Sequence, residues 1–181
     1  MRSNTTFPDK PFAVWITGLP ASGKSTIAHR LVTELRKSGL TPVALESDVL
    51  RPILTPEPEY TVCERDYFYA ALVDLGALIF EHGVPVIFDA TAHLRRYRRA
   101  AEERISPFFE VLVHTPLSVC RERDPKGIYR KAETGEADTV PGMQVEYEAP
   151  ANPAVELDGE AESPSQGVAR IMRCLRKELR A

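Results

Sequence analysis

Residues 12–25 read Phe12-Ala-Val-Trp-Ile-Thr17 and then Gly18-Leu-Pro-Ala-Ser-Gly23-Lys24-Ser25. The first six are apolar or β-branched, the pattern of a short buried strand. The next eight match G-x4-G-K-S, a phosphate-binding loop. From Lys24 onward Ile27, Ala28, Leu31, Val32 and Leu35 recur at three- and four-residue steps. A helix therefore begins where the loop ends, as the motif requires. Gly18 and Gly23 permit turns that aim backbone N–H groups at phosphate oxygens. The positive end of the helix dipole adds to that field. Lys24 suits the β- and γ-phosphates, and the Ser25 hydroxyl suits Mg²⁺. Gly18, Leu19, Pro20, Ala21, Ser22, Gly23, Lys24, Ser25 and Thr26 are thus the expected ATP-binding stretch.

Reading outward, Gly39 stops the first helix and 42–45 form a second strand. Residues 52–60 hold three prolines and read as loop. A helix is expected over 65–82, a strand over 84–88, a helix over 95–104, a strand over 108–113 and a short helix over 117–123. Residues 124–153 are rich in Pro, Gly and charge, and suggest a lid. Residues 155–157 make a last strand. Ser163 and Gln166 then form a capping box with Pro164 at the first helical position. Strands alternating with helices predict a parallel sheet covered on both faces. Residues 1–10 read as a flexible leader, and 11–181 as one domain.

In such a sheet, ligands sit beyond the carboxyl ends of the strands. Asp48, just past the second strand, is placed there with the phosphate loop. It is a candidate general base or an organiser of Mg²⁺ through water. A helix cap is the plainer alternative. Asp89 ends the third strand as a second crevice carboxylate, with a structural hydrogen bond equally open. Arg51 is either an anion clamp or an exposed helix arginine. Arg95, Arg96, Arg98 and Arg99 form either a solvated face or an anion clamp. Arg123, Lys126 and Lys131 open the lid segment, where cations can close over a transferring phosphoryl group.

The chain has 181 residues with a net charge of −3, so no global basic field favours nucleic acid or an anionic membrane. No apolar run approaches the roughly 18 residues a membrane span needs. The polar start lacks a signal-peptide core, which leads us to expect a cytoplasmic enzyme or binding protein. Three separated cysteines form no framework, and four histidines show no metal spacing.

These residues together resemble the adenylyl-sulfate kinase family, whose members phosphorylate the ribose 3′-hydroxyl of adenosine 5′-phosphosulfate (APS). The resemblance runs from about Val14 to about Gly159. Its most specific pieces are TGLPASGKST (17–26), TPLSVCRERDPKGIYRKAETGE (115–136) and YEAP (147–150). It implies a three-layer α/β/α nucleoside-phosphate-kinase fold with a five-stranded parallel sheet and a lid over 124–153. It also implies ATP and Mg²⁺ as cofactors and APS as substrate, with a homodimer allowed for but not specified.

By position, Lys24 and Asp48 match the catalytic residues. Ser25 and, through water, Asp48 match the metal site, and Arg123 joins the ATP side. Arg51, Tyr60, Arg65, Arg95, Lys126 and Lys131 match acceptor-binding positions, with Tyr60 replacing an adenine-stacking Phe. The chain departs from the family where a substrate-binding Asn becomes Phe68. An arginine pair becomes Ala70-Ala71, a second stacking Phe becomes Val140, and a serine becomes Ala92. Three other readings stay open: a same-fold kinase for another nucleotide or small-molecule hydroxyl, a catalytically silent nucleotide-binding partner, and a nucleic-acid end kinase.

Overall fold

The computed structural model describes residues 10–180, so most of the expected leader lies outside the described residues. Five strands, β1 (Ala13–Thr17), β2 (Val43–Glu46), β3 (Val86–Asp89), β4 (Phe108–His114) and β5 (Val155–Asp158), form one sheet. Its order is β2-β3-β1-β4-β5 with every pairing parallel, as the alternation predicts. All five residues of β1 are buried because it is the central strand. Alternation splits its side chains between the two faces. Val14 and Ile16 join α1 (Lys24–Lys37) and α7 (Pro164–Glu178) on one face. Ala13 and Trp15 join α3 (Val62–Glu81) and α4 (Arg95–Glu102) on the other. The chain leaves β1 toward β2 and leaves β4 toward β5. The connections therefore diverge at neighbouring strand ends and open a crevice there.

Three boundaries differ from the sequence reading. The proline-rich segment is not all loop, because α2 spans Ser47–Leu54 with Pro52 inside it. Pro52 gives up a single hydrogen bond, to the Asp48 carbonyl. Thr55 closes the helix on the Arg51 carbonyl with both its N–H (2.7 Å) and its hydroxyl (3.1 Å). The next helix starts at Val62 rather than 65, because the Thr61 side chain caps it by accepting from Glu64 N. That Thr-x-x-Glu pattern is a helix-start signal in the sequence. The 124–153 segment is not structureless either. It contains α6 (Ile128–Glu133), and Tyr129 of that helix clusters with Val140 and Met143 from the following residues and with Cys120 and Leu19. α5 (Leu117–Arg123) and the Ser163–Gln166 capping box of α7 appear as expected.

Gly76 shows how tightly α3 lies on the sheet. A Cβ there would sit 2.1 Å from Cζ of Phe88, whose ring is stacked on Trp15 at 4.5 Å and fully buried. Gly76→Ala gains helix propensity of about 1 kcal/mol, but overpacking costs about 1–3 kcal/mol and a 2.1 Å approach lies at the severe end. The expected outcome is a melting temperature several degrees lower, read by thermal denaturation. An unchanged or raised value would contradict the packing.

Candidate active site

The loop between β1 and α1 is built to approach something closely. A Cβ on Gly18 would lie 2.5 Å from the Val113 carbonyl oxygen and 2.7 Å from Ser22 Oγ, so only glycine fits. Gly23, at φ 102, turns the chain into α1. No side chain caps α1 and its first turn holds no acidic residue. Its leading N–H groups and dipole therefore face the crevice uncompensated. Ser22 is fully buried, yet its hydroxyl has no hydrogen-bond partner among the described residues. The Lys24 ammonium donates to the Leu19 carbonyl at 2.9 Å. Burial lowers its pKa, opposed by the negative charges of Asp89 and Asp48. Backbone donors, an orphaned hydroxyl and a desolvated cation meet in a cradle suited to phosphate.

Two carboxylates stand beside it. Asp89, at the end of β3, is buried. Burial raises its pKa, while the Ser25 hydroxyl and Lys24 oppose that rise. Asp48, in the first turn of α2, is exposed and ion-paired with Lys126 from the lid. A cleft of about 940 Å³ joins Lys24, Ser25, Asp48, Asp89, Thr91 and Lys126. Among the described residues no cluster of three or more His, Cys, Asp or Glu forms a self-sufficient metal cage. That fits Mg²⁺, which is usually bound by one or two protein oxygens together with substrate phosphates and water. Ser25, Asp89 and Asp48 supply such oxygens.

The far end of the cleft was missed by sequence reasoning. Residues 158–164, between β5 and α7, line it. The Asp158 carboxylate accepts from Glu160 N and Ala161 N, both at 2.9 Å, and holds this loop. Arg123 donates to the Gly159 carbonyl at 2.9 Å. The position of this loop beyond the end of a strand was the available signal.

Outside the lining of this cleft, Arg51, Tyr60 and Arg65 form a group of their own. Glu64 organises them: Oε1 pairs with Arg51 Nη1 at 3.2 Å, and Oε2 accepts from Glu59 N (2.5 Å) and Tyr60 N (3.1 Å). Tyr60 takes a left-handed backbone, φ 56, and its side chain stays exposed. Arg65 is buried, donating to the Tyr60 carbonyl at 3.0 Å and to the Thr139 carbonyl at 2.7 Å, which ties the lid to α3.

The expected arginine face from 95 to 99 takes another form. Arg98 is buried, bonded to Glu110, the Ala92 carbonyl and the Glu148 carbonyl. Arg96 pairs with Asp66 and Arg99 with Glu103. Arg95 donates to the Ala149 carbonyl at 2.7 Å, and its N–H donates to Glu148. Apart from Glu103, four residues from Arg99, the charged partners come from remote elements, which no local charge pattern reveals. Lys131 is exposed on α6, outside the lining of the cleft. The structure brings together the loop, Lys24, Ser25, Asp48, Arg123 and Lys126 in one cleft, and groups Arg51, Tyr60 and Arg65 with one another. It does not bring Arg51, Tyr60, Arg65, Arg95 or Lys131 into the lining of that cleft.

A parallel α/β/α sheet with a phosphate loop, two crevice carboxylates and a cationic lid defines a P-loop phosphotransferase. The model of the family described as adenylylsulphate kinase matches residues 10–158. The chain is 36% identical over 158 residues to the adenylyl-sulfate kinase of Microcystis aeruginosa, covering 87% of each chain. It is 36% identical over 168 residues to that of Pseudomonas aeruginosa, covering 92% of this chain and 86% of the relative. The Mycobacterium tuberculosis APS kinase in complex with AMPPNP and APS superposes with a TM-score of 0.86 at 31% identity. That match covers 93% of this chain and 99% of the other. The chain belongs to the adenylylsulphate kinase family. Among the described residues, no helix is long and apolar enough to cross a membrane.

Proposed function

We propose that this chain transfers the γ-phosphoryl group of Mg²⁺-ATP to the ribose 3′-hydroxyl of APS, giving 3′-phosphoadenosine 5′-phosphosulfate. The observation that carries this reading is the single cleft in which Lys24, Ser25, Asp48 and Lys126 converge. It lies in a chain that matches the family over residues 10–158. Gly18 to Thr26 would cradle the ATP phosphates, and Arg123 with the 158–164 loop would form the far wall. Ser25 and Asp89 would hold Mg²⁺, with Asp48 reaching it through water. When bound, the ion neutralises charge on the phosphate oxygens. Lys24 places a desolvated positive charge where negative charge develops on the transferring group. Asp48 orients the acceptor hydroxyl and takes its proton at a carboxylate oxygen. Lys126 brings lid closure and a second cation to the same point.

The acceptor's adenine is assigned to Tyr60, with Arg51 and Arg65 on its anionic groups. Tyr60→Ala is expected to raise the acceptor KM about 5- to 160-fold, as one base–aromatic stack is worth roughly 1–3 kcal/mol. The KM for ATP should stay within about twofold, because the phosphate loop is a separate structure. Equal rises in both would remove Tyr60 from the acceptor site.

One observation favours a second reading, a same-fold kinase for another hydroxyl. Phe68, Ala70, Ala71 and Val140 stand where the family resemblance places polar or stacking groups. An ADP-release screen over APS, other nucleotides and small alcohols separates the two. Release only with APS supports the first reading, and release only with another alcohol supports the second.

A further inference from the structure

The family resemblance implies a substrate-binding Asn where this chain has Phe68, whose ring offers no such hydrogen bond. Its surroundings give it a different task. The side chain is fully buried on α3, and the Arg51 guanidinium carbon lies 3.8 Å from its ring centroid. The Tyr60 ring stands 4.9 Å from the same carbon. Glu64 pairs with Nη1 of Arg51 from the side. The Arg51 side chain is only 12% exposed, yet Glu64 is the one hydrogen-bond partner of its guanidinium among the described residues. A guanidinium carries five N–H donors, all in its plane. Stacking engages the face of that plane and leaves the donors on its edge unspent. A second cation, Arg65, lies close enough to feel the charge of Arg51. A desolvated cation with unspent donors next to another cation is an arrangement that an anion completes.

We infer that Phe68 is a positioning residue for the acceptor site, holding the Arg51 guanidinium flat so that its free edge receives the anionic group of the acceptor. The ring sets the plane of the guanidinium, and Glu64 sets its rotation within that plane. The chain thereby replaces an amide that bonds the substrate directly with an aromatic floor that acts through Arg51. This inference rests on the acceptor reading proposed above, and it explains how a pocket without the family's Asn still serves an anionic acceptor.

The test is a double-mutant cycle on the Kd for APS, measured calorimetrically with AMPPNP and Mg²⁺ present. Phe68→Leu keeps an apolar side chain but removes the ring. It should weaken APS binding about five- to thirty-fold, the range of a partly desolvated cation–π contact. Phe68→Tyr keeps the ring and should bind APS within about threefold of the native protein. In an Arg51→Ala background, Phe68→Leu should change the APS Kd less than about twofold, because the residue it positions is gone. The Kd for AMPPNP should be level throughout. Should Phe68→Leu fail to fold, Phe68→Met carries the same cycle. Equal factors in both backgrounds, or a parallel loss of AMPPNP binding, would make Phe68 a packing residue only and overturn the inference. Native protein that binds APS without turning it over refutes the functional reading and leaves this inference standing. Native protein that does not bind APS refutes both.

Discussion

Lys24→Ala is expected to lower kcat by at least about 10²–10³-fold, the size of losing one preorganised charge contact to a transition state. The fold should survive. Burial depresses the pKa of the Lys24 ammonium, so folding works against its charged form. Its bond to the Leu19 carbonyl, at 2.9 Å, is a contact within the loop rather than a link between core elements. Removing it should leave the melting temperature level or slightly raised, as for other residues kept for function at some cost in stability. Steady-state kinetics and a thermal melt on the same preparation decide it. A variant that melts normally and turns over at a near-native rate contradicts the assignment of the loop.

Asp48→Asn should lower kcat by about 10²–10⁴-fold, the range for removing a general base. The amide keeps the shape but neither takes the proton nor balances a metal aquo complex. The KM for ATP should move less than kcat, since Asp48 shares the cleft with the loop but is not part of it. Stability should also move little. Asp48 and Lys126 are both more than half exposed, and such a pair contributes at most about 1 kcal/mol. The pair matters for another reason: it brings a lid cation to the carboxylate that would meet the acceptor. A drop in kcat below about tenfold would reduce Asp48 to a helix-end residue.

The phosphate loop was legible because its chemistry is local. Two glycines, a lysine and a serine at fixed spacing, between a strand and a helix, leave few alternatives. The parallel sheet was legible for a similar reason, since five short apolar runs alternate with helical patterns. Residues whose fate depends on remote partners were not legible. Arg98 looks like any surface arginine until Glu110 and the Glu148 carbonyl reach it from β4 and the 147–150 loop. Arg65 reads as a substrate clamp, yet two of its donors hold Tyr60 and the lid residue Thr139. The 158–164 wall carries no ligand-binding motif, only the start of the α7 capping box, and the topology delivers it to the cleft. Pro52 misleads because one missing backbone bond is a small loss in a short helix whose C-terminal end is closed by Thr55 on the Arg51 carbonyl. Phe68 appears in sequence only as a lost Asn, because its stacking partner Arg51 comes from a different helix.

The central claim is phosphoryl transfer from ATP to the 3′-hydroxyl of APS. Its most direct test incubates the native protein with Mg²⁺-ATP and APS and separates the products by ion-exchange chromatography. ADP and 3′-phosphoadenosine 5′-phosphosulfate should appear in a one-to-one ratio, with neither formed by the Lys24→Ala variant. ADP without the phosphorylated APS, or no ADP with APS but release with another alcohol, would contradict it.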